Sequence, residues 1–166
     1  MTSRQGNLLG FAAALSLLAY AYYSQFVLHL EPCPLCIFQR VGVLASGFLF
    51  LLAAAHDPVG WGRRVYAGLL GLAALATIGV ALRHLYIQSL PEGSIPSCGA
   101  SFDFLRKIYS PSELVVKVLT GSGECAKVTW TFLGLAMPAW VLIAALVLGA
   151  YGLWINLRHQ PPVLRF

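Results

Sequence analysis

Charge is scarce in this chain. Only 10% of its 166 residues are charged, and just six are acidic. A water-soluble domain carries about one-quarter charged residues, so an ordinary soluble fold is excluded. A buried soluble helix bundle would need four polar outer faces, and none is visible. The formal net charge of +5 does not rescue a nucleic-acid role. The basic residues are scattered among apolar runs, with no basic stripe interleaved with aromatics. Cysteine is also sparse. There are four, and none falls within a long apolar run or beside the termini. Histidine is absent between Cys98 and Cys125, and no second C-x-x-C accompanies the first. A zinc site would need such closely spaced ligands, so no metal is expected.

What is abundant is apolar sequence, at 58% of residues. Four runs, about 8–28, 37–56, 65–88 and 128–157, are each long enough for a helix to cross the hydrocarbon core. The length suits one domain, 1–166. The expected fold is all-α, a four-helix transmembrane bundle. Arg4 as a basic region, Leu8 to Leu18 as a core and Ala19-Tyr20-Ala21 as a cleavage site resemble a signal peptide, but the apolar run continues to Leu28, too long for that reading.

Four crossings place both termini and the turn from Asp57 to Arg64 on one side. Arg4, Arg63, Arg64, Arg158 and Arg165 crowd into those short segments, more densely than Arg106, Lys107, Lys117 and Lys127 are spread along the long opposite connection, and this density favours a cytoplasmic location for the termini. The connections at about 29–36 and 89–127 lie opposite and hold all four cysteines. Disulfides persist in oxidising compartments such as the bacterial periplasm. Both arguments place the cysteine loops of a multi-pass membrane protein outside the cytoplasm.

Cys33-Pro34-Leu35-Cys36 is a C-x-x-C pair. Such a bond closes so short a loop that it restricts the unfolded chain little, which suits opening and closing better than stapling. Proline favours the first helical turn, so Cys36 is expected at a helix N-terminus, where the partial positive charge favours a thiolate. Arg40 follows one turn deeper on the same face. It reads either as a snorkelling interfacial arginine or as the fixed charge beside a thiolate that delivers electrons to a lipid-soluble acceptor. Cys98 sits in a stretch rich in Pro, Gly and Ser, expected to be exposed and mobile. Ser110-Pro111-Ser112-Glu113 then signals a helix start. Leu114, Val115, Val118 and Leu119 share one face, and Gly121 and Gly123 end the run. A short amphipathic helix is expected in the second loop, lying on the membrane and holding Cys125 near Cys33 and Cys36.

These residues resemble the disulfide bond formation protein B family, DsbB. The resemblance rests on Pro32-Cys33-Pro34-Leu35-Cys36, Gln39-Arg40, Gly121-Ser122-Gly123-Glu124-Cys125 and the run Trp130 to Trp140. His84, followed by Leu85 to Pro91, resembles the family's exit from its third helix, where a histidine is associated with quinone. The resemblance implies a protein-dithiol:quinone oxidoreductase that reoxidises a periplasmic thioredoxin-fold thiol oxidase, DsbA-like. Electrons would pass to membrane quinone, ubiquinone or menaquinone, in support of the cell's disulfide and chaperone machinery. It further implies Cys33, Cys36, Cys98 and Cys125 as catalytic residues, with Arg40 and His84 at the quinone. Cys33–Cys36 and Cys98–Cys125 would be the resting pairs, out of the three pairings four cysteines allow. Two rivals stand beside this reading. A vitamin K epoxide reductase-like enzyme would carry its C-x-x-C late in the chain, whereas here it follows the first helix. A non-enzymatic scaffold with structural disulfides would resist mild reductants.

Overall fold

The computed structural model describes residues 2–91, 107–120, 123–128 and 130–158. The chain is an all-α transmembrane bundle built on four long apolar helices: α1 (Ser3–Phe26), α2 (Pro34–His56), α3 (Trp61–Gln88) and, after a second connection, α6 (Met137–Leu157). All four are long and apolar enough to span a membrane. In each span's most apolar stretch a third or less of the residues is buried inside the bundle, which leaves the remaining apolar surface for lipid. Two short helices lie in the connection, α4 (Pro111–Thr120) and α5 (Gly123–Ala126).

Local chemistry sets the helix ends. Thr2 and Gln5 form a reciprocal capping box: Gln5 N–H donates to Thr2 Oγ1 at 3.2 Å, and Thr2 N–H donates to Gln5 Oε1 at 3.0 Å. Pro34 starts α2 immediately after Cys33, so Cys36 lies in the first turn. Asp57, with φ 41°, closes α2 in the left-handed region, and Gly60, with φ 57°, turns the chain into α3.

The fourth helix departs from expectation. Apolar sequence begins at Val128, but the helix begins at Met137, with Pro138 in its first turn. Before it lies a two-stranded hairpin, β1 (Thr131–Phe132) paired antiparallel with β2 (Leu135–Ala136). Its two central residues, Leu133 and Gly134, both have positive φ, as a two-residue hairpin loop requires. Aromatic packing holds the hairpin. Trp130 and Phe132 stack with ring centres 6.0 Å apart, Phe132 meets Trp140 at 5.8 Å, and Trp140 Nε1–H donates to the Phe132 carbonyl at 3.2 Å.

Inside the bundle, Ala14, Leu18, Val43, Phe50, Leu70 and Leu148 form one core cluster. Small residues let the helices approach: a Cβ on Gly149 would lie 2.6 Å from that of Ala74, and one on Gly10 2.7 Å from the Phe50 ring. Toward the end that carries the termini, Asn7 and Asn156 exchange amide hydrogen bonds at 3.0 and 3.2 Å, tying α1 to α6. Arg63 caps α6 by donating to the carbonyls of Ile155 and Arg158.

The opposite end has its own cluster, Leu35, Ile87, Val118 and Cys125, with Leu114 and Cys33 packed against it. Of the four apolar residues expected on one face of α4, Leu114 and Val118 therefore turn toward the ends of α2 and α3, while Val115 and Leu119 are exposed. Arg83 fixes this placement from α3, donating to the carbonyls of Leu119 and Thr120 at 2.8 and 3.2 Å. Ser110 N–H and Oγ–H both donate to Glu113, completing the expected helix start and holding that carboxyl below its usual range. The clamp on α4 brings the following α5, and with it Cys125, over the ends of α2 and α3.

Candidate active site

Cys33 caps α2 with extended backbone (φ −65°, ψ 162°), and Cys36 stands one turn further on. Their sulfurs are 3.2 Å apart. Both side chains are half-buried, whereas Cys125, delivered by α5, is buried. His84 arrives from the last turns of α3 and is also buried. The sulfurs of Cys33 and Cys125 and a ring nitrogen of His84 all lie within 4.8 Å of one another. These three residues are remote in sequence; Leu35, Ile87 and Val118 pack with the two cysteines, and His84 joins them through the Cys125 carbonyl.

Hydrogen bonding assigns the histidine tautomer. The carbonyl of Cys125 lies 3.2 Å from His84 Nε2 and can only accept, so Nε2 carries the proton. Nδ1 is then an acceptor for Gln39 Nε2–H at 3.3 Å. Cys33 Sγ lies 3.7 Å from the same Nε2. Gln39 is 2% exposed, and it belongs to the site although the sequence singles it out only within a motif. Its position three residues after Cys36, on the same helix, is the signal that could have found it.

Arg40 is held by α1. Its guanidinium donates to the Gln25 side-chain oxygen and, at 3.0 Å, to the Ala21 carbonyl, and it lies over the Tyr22 ring at 5.3 Å. Two cavities meet at Cys36 and Arg40. The larger, about 870 Å³, runs between α1, α2 and α6 beneath the hairpin. Its walls are mainly apolar and aromatic, including Leu17, Val43, Trp140 and Val147, with Cys36, Gln39 and Arg40 among its few polar lining residues. The smaller, about 250 Å³, adds Cys33, His84, Glu31 and Lys127. The fold thus gathers five of the six expected site residues at one end of the bundle: Cys33, Cys36, Arg40, His84 and Cys125. The sixth, Cys98, lies outside the described residues.

An apolar groove among membrane helices, with a thiol, an amide and a guanidinium on its wall, fits a lipid-soluble carbonyl compound such as a quinone. Fold and site together define a multi-pass helical membrane protein whose dithiol faces both an apolar groove and a buried histidine–cysteine cluster. The family profile described as "Disulfide bond formation protein DsbB" matches residues 3–155. Proteins named "Disulfide bond formation protein B" are similar over nearly the whole chain. That of Nitrosococcus oceani is 49% identical over 146 residues, covering 88% of this chain and 86% of its own. That of Chromobacterium violaceum is 46% identical over 160 residues, 96% of each. That of Marinobacter nauticus is 44% identical over 162 residues, 98% of this chain and 96% of its own. The chain belongs to the DsbB family and is a membrane oxidoreductase of disulfide bond formation.

Proposed function

We propose that this protein reoxidises a DsbA-like thiol oxidase and passes the electrons to membrane quinone. The observation that carries the reading is the position of Cys36, on the wall of the apolar groove and of the cavity holding Cys33 and His84 at once.

The exchange steps conserve bonds and charge. A thiolate of the partner attacks Cys98 of a Cys98–Cys125 disulfide, and Cys125 leaves as a thiolate. Cys125 attacks Cys33 of the Cys33–Cys36 disulfide, and Cys36 leaves. The partner's second thiolate then displaces Cys98 and completes the partner's own disulfide. Cys98 attacks Cys125, restores Cys98–Cys125 and releases Cys33, so the two electrons now reside on the Cys33/Cys36 dithiol. The proximity of Cys33 and Cys125 supports the transfer between loops. Quinone, when bound, supplies the oxidising power by taking up two electrons and two protons. Cys36, Gln39 and Arg40 would hold its ring, Leu17, Val43 and Val147 its tail, and Trp140 would help close the groove. Arg40 would stabilise negative charge at Cys36 and donate hydrogen bonds toward an acceptor oxygen. His84, hydrogen-bonded to Gln39 and the Cys125 carbonyl, orients the two cysteines it lies between.

Purified protein mixed with a reduced thioredoxin-fold oxidase and ubiquinone should bleach quinone absorbance in proportion to the partner supplied. A scaffold with structural disulfides would leave the absorbance unchanged, and that result would refute the proposal. The same reading places the protein in the bacterial inner membrane, with the termini cytoplasmic and the cysteine loops periplasmic. A reporter enzyme active only outside the cytoplasm should work when fused after Gly99 and stay silent when fused after Gly60. The opposite pattern would reverse the orientation.

A further inference from the structure

We propose that the reduced protein binds a soft divalent metal ion, zinc or cadmium, through Cys33, Cys125 and His84, with Cys36 as the fourth ligand. In sequence these ligands do not look like a zinc motif, because the histidine lies far outside the cysteine spacing. The fold supplies it from α3. In a tetrahedral site of three sulfurs and one nitrogen, with bonds of about 2.3 and 2.0 Å, neighbouring ligand atoms stand roughly 3.5–3.8 Å apart. Cys33 Sγ and His84 Nε2 already stand 3.7 Å apart. The sulfur of Cys125 completes a trio within 4.8 Å. Cys36, whose sulfur lies 3.2 Å from that of Cys33, would turn in from the first turn of α2 as the fourth ligand, its sulfur separating from that of Cys33 to about 3.8 Å. Three sulfurs and one imidazole form a ligand set that zinc takes in closed, structural sites.

The surroundings suit the ion as well. A metal-bound imidazole almost always donates its other ring N–H to an acceptor. His84 must move its proton from Nε2 to Nδ1 to bind, and Gln39 can then accept from Nδ1 once its amide turns over, since it carries an oxygen as well as a nitrogen. Zinc with three thiolates carries a net charge of −1. The cavity around Cys33, Cys36 and His84 is lined by Arg40 and Lys127 against a single acid, Glu31, so the cluster would be compensated. Binding releases the three thiol protons and transfers no electrons. Metal capture stands on this geometry alone. Its consequence, arrest of turnover because metal-bound thiolates cannot exchange, rests on the thiol cycle proposed above.

Cobalt(II) titration of the anaerobically reduced protein in detergent tests the site, since tetrahedral thiolate coordination gives intense visible and near-ultraviolet bands. Wild type and Cys98→Ser should both show the bands, and zinc should displace them. Cys125→Ser and His84→Asn, changed on separate helices, should each weaken cobalt binding by about tenfold or more. Absence of the bands in wild type, or unchanged affinity in either of those variants, would overturn the site. Zinc should also stop quinone reduction, and a chelator should restore it. Metal bound with turnover unaffected would leave the site standing and count against the thiol cycle instead.

Discussion

Cys36→Ser is expected to abolish steady-state quinone reduction, by roughly three orders of magnitude or more, the scale at which enzymes lose a covalent nucleophile. Cys36 is the cysteine common to the walls of the apolar groove and the cavity that holds Cys33 and His84. In the proposed cycle its sulfur would have two tasks: to leave as a thiolate when Cys33 is attacked, and to stand at the membrane-facing acceptor. A serine hydroxyl does neither, because it forms no disulfide and ionises far less readily than a thiol. The loss should be selective. The Cys98–Cys125 pair would still oxidise one equivalent of reduced partner in a single turnover, since that exchange does not use Cys36. Rapid-mix trapping with a thiol-alkylating reagent separates the two stages. Turnover within tenfold of wild type would remove Cys36 from the electron path and with it the assignment of the groove.

The variant bears on how much of the site a reader of the sequence could see. Long apolar runs carry the four spans, because a bilayer imposes a length that no local packing has to supply. The position of Cys36 in a first helical turn followed from Pro34, and the helix at Pro111–Thr120 followed from Ser110 and Glu113. Such signals are local, and local chemistry is what a sequence displays directly. The start of the last span was hidden for the same reason. Residues from Val128 to Ala136 look as apolar as the helix that follows, and nothing in hydropathy separates a two-residue hairpin held by Trp130, Phe132 and Trp140 from a helical turn. Leu133 at positive φ is a conformation few would assign to leucine. The closeness of Cys125 to Cys33 was expected from the helix ahead of it, but the His84–Gln39 contact depends on α3 lying beside α2, and the seat of α4 on Arg83 clamping its end. The last two are tertiary facts with no local trace. Nor does sequence spacing reveal that Arg40 is gripped by Gln25, Ala21 and Tyr22 of the first helix.

That grip sharpens the test of Arg40. A snorkelling anchor needs only a positive charge near the headgroups, and lysine provides one. The guanidinium here does more. It binds two oxygens of α1, lies over Tyr22 and still borders both cavities. Lysine keeps the charge but loses the planar fork of donors, so Arg40→Lys should insert normally and form both disulfides. Its apparent KM for quinone should rise clearly, with a smaller change for the thiol partner. Arg40→Ala should lose more, because the charge beside Cys36 disappears as well. One to two tenfold steps in kcat/KM for quinone correspond to about 1.4–2.8 kcal/mol of lost electrostatic support. The ties to α1 create a competing explanation, in which alanine loosens the first helix and the groove with it. Thermal unfolding in detergent separates the two, and so does Gln25→Leu, which removes one tie and no charge. A charge role predicts that Gln25→Leu keeps most quinone activity while Arg40→Ala does not. Equal losses in the two variants would make Arg40 a helix clamp, and unchanged quinone kinetics in Arg40→Ala would leave it an anchor alone.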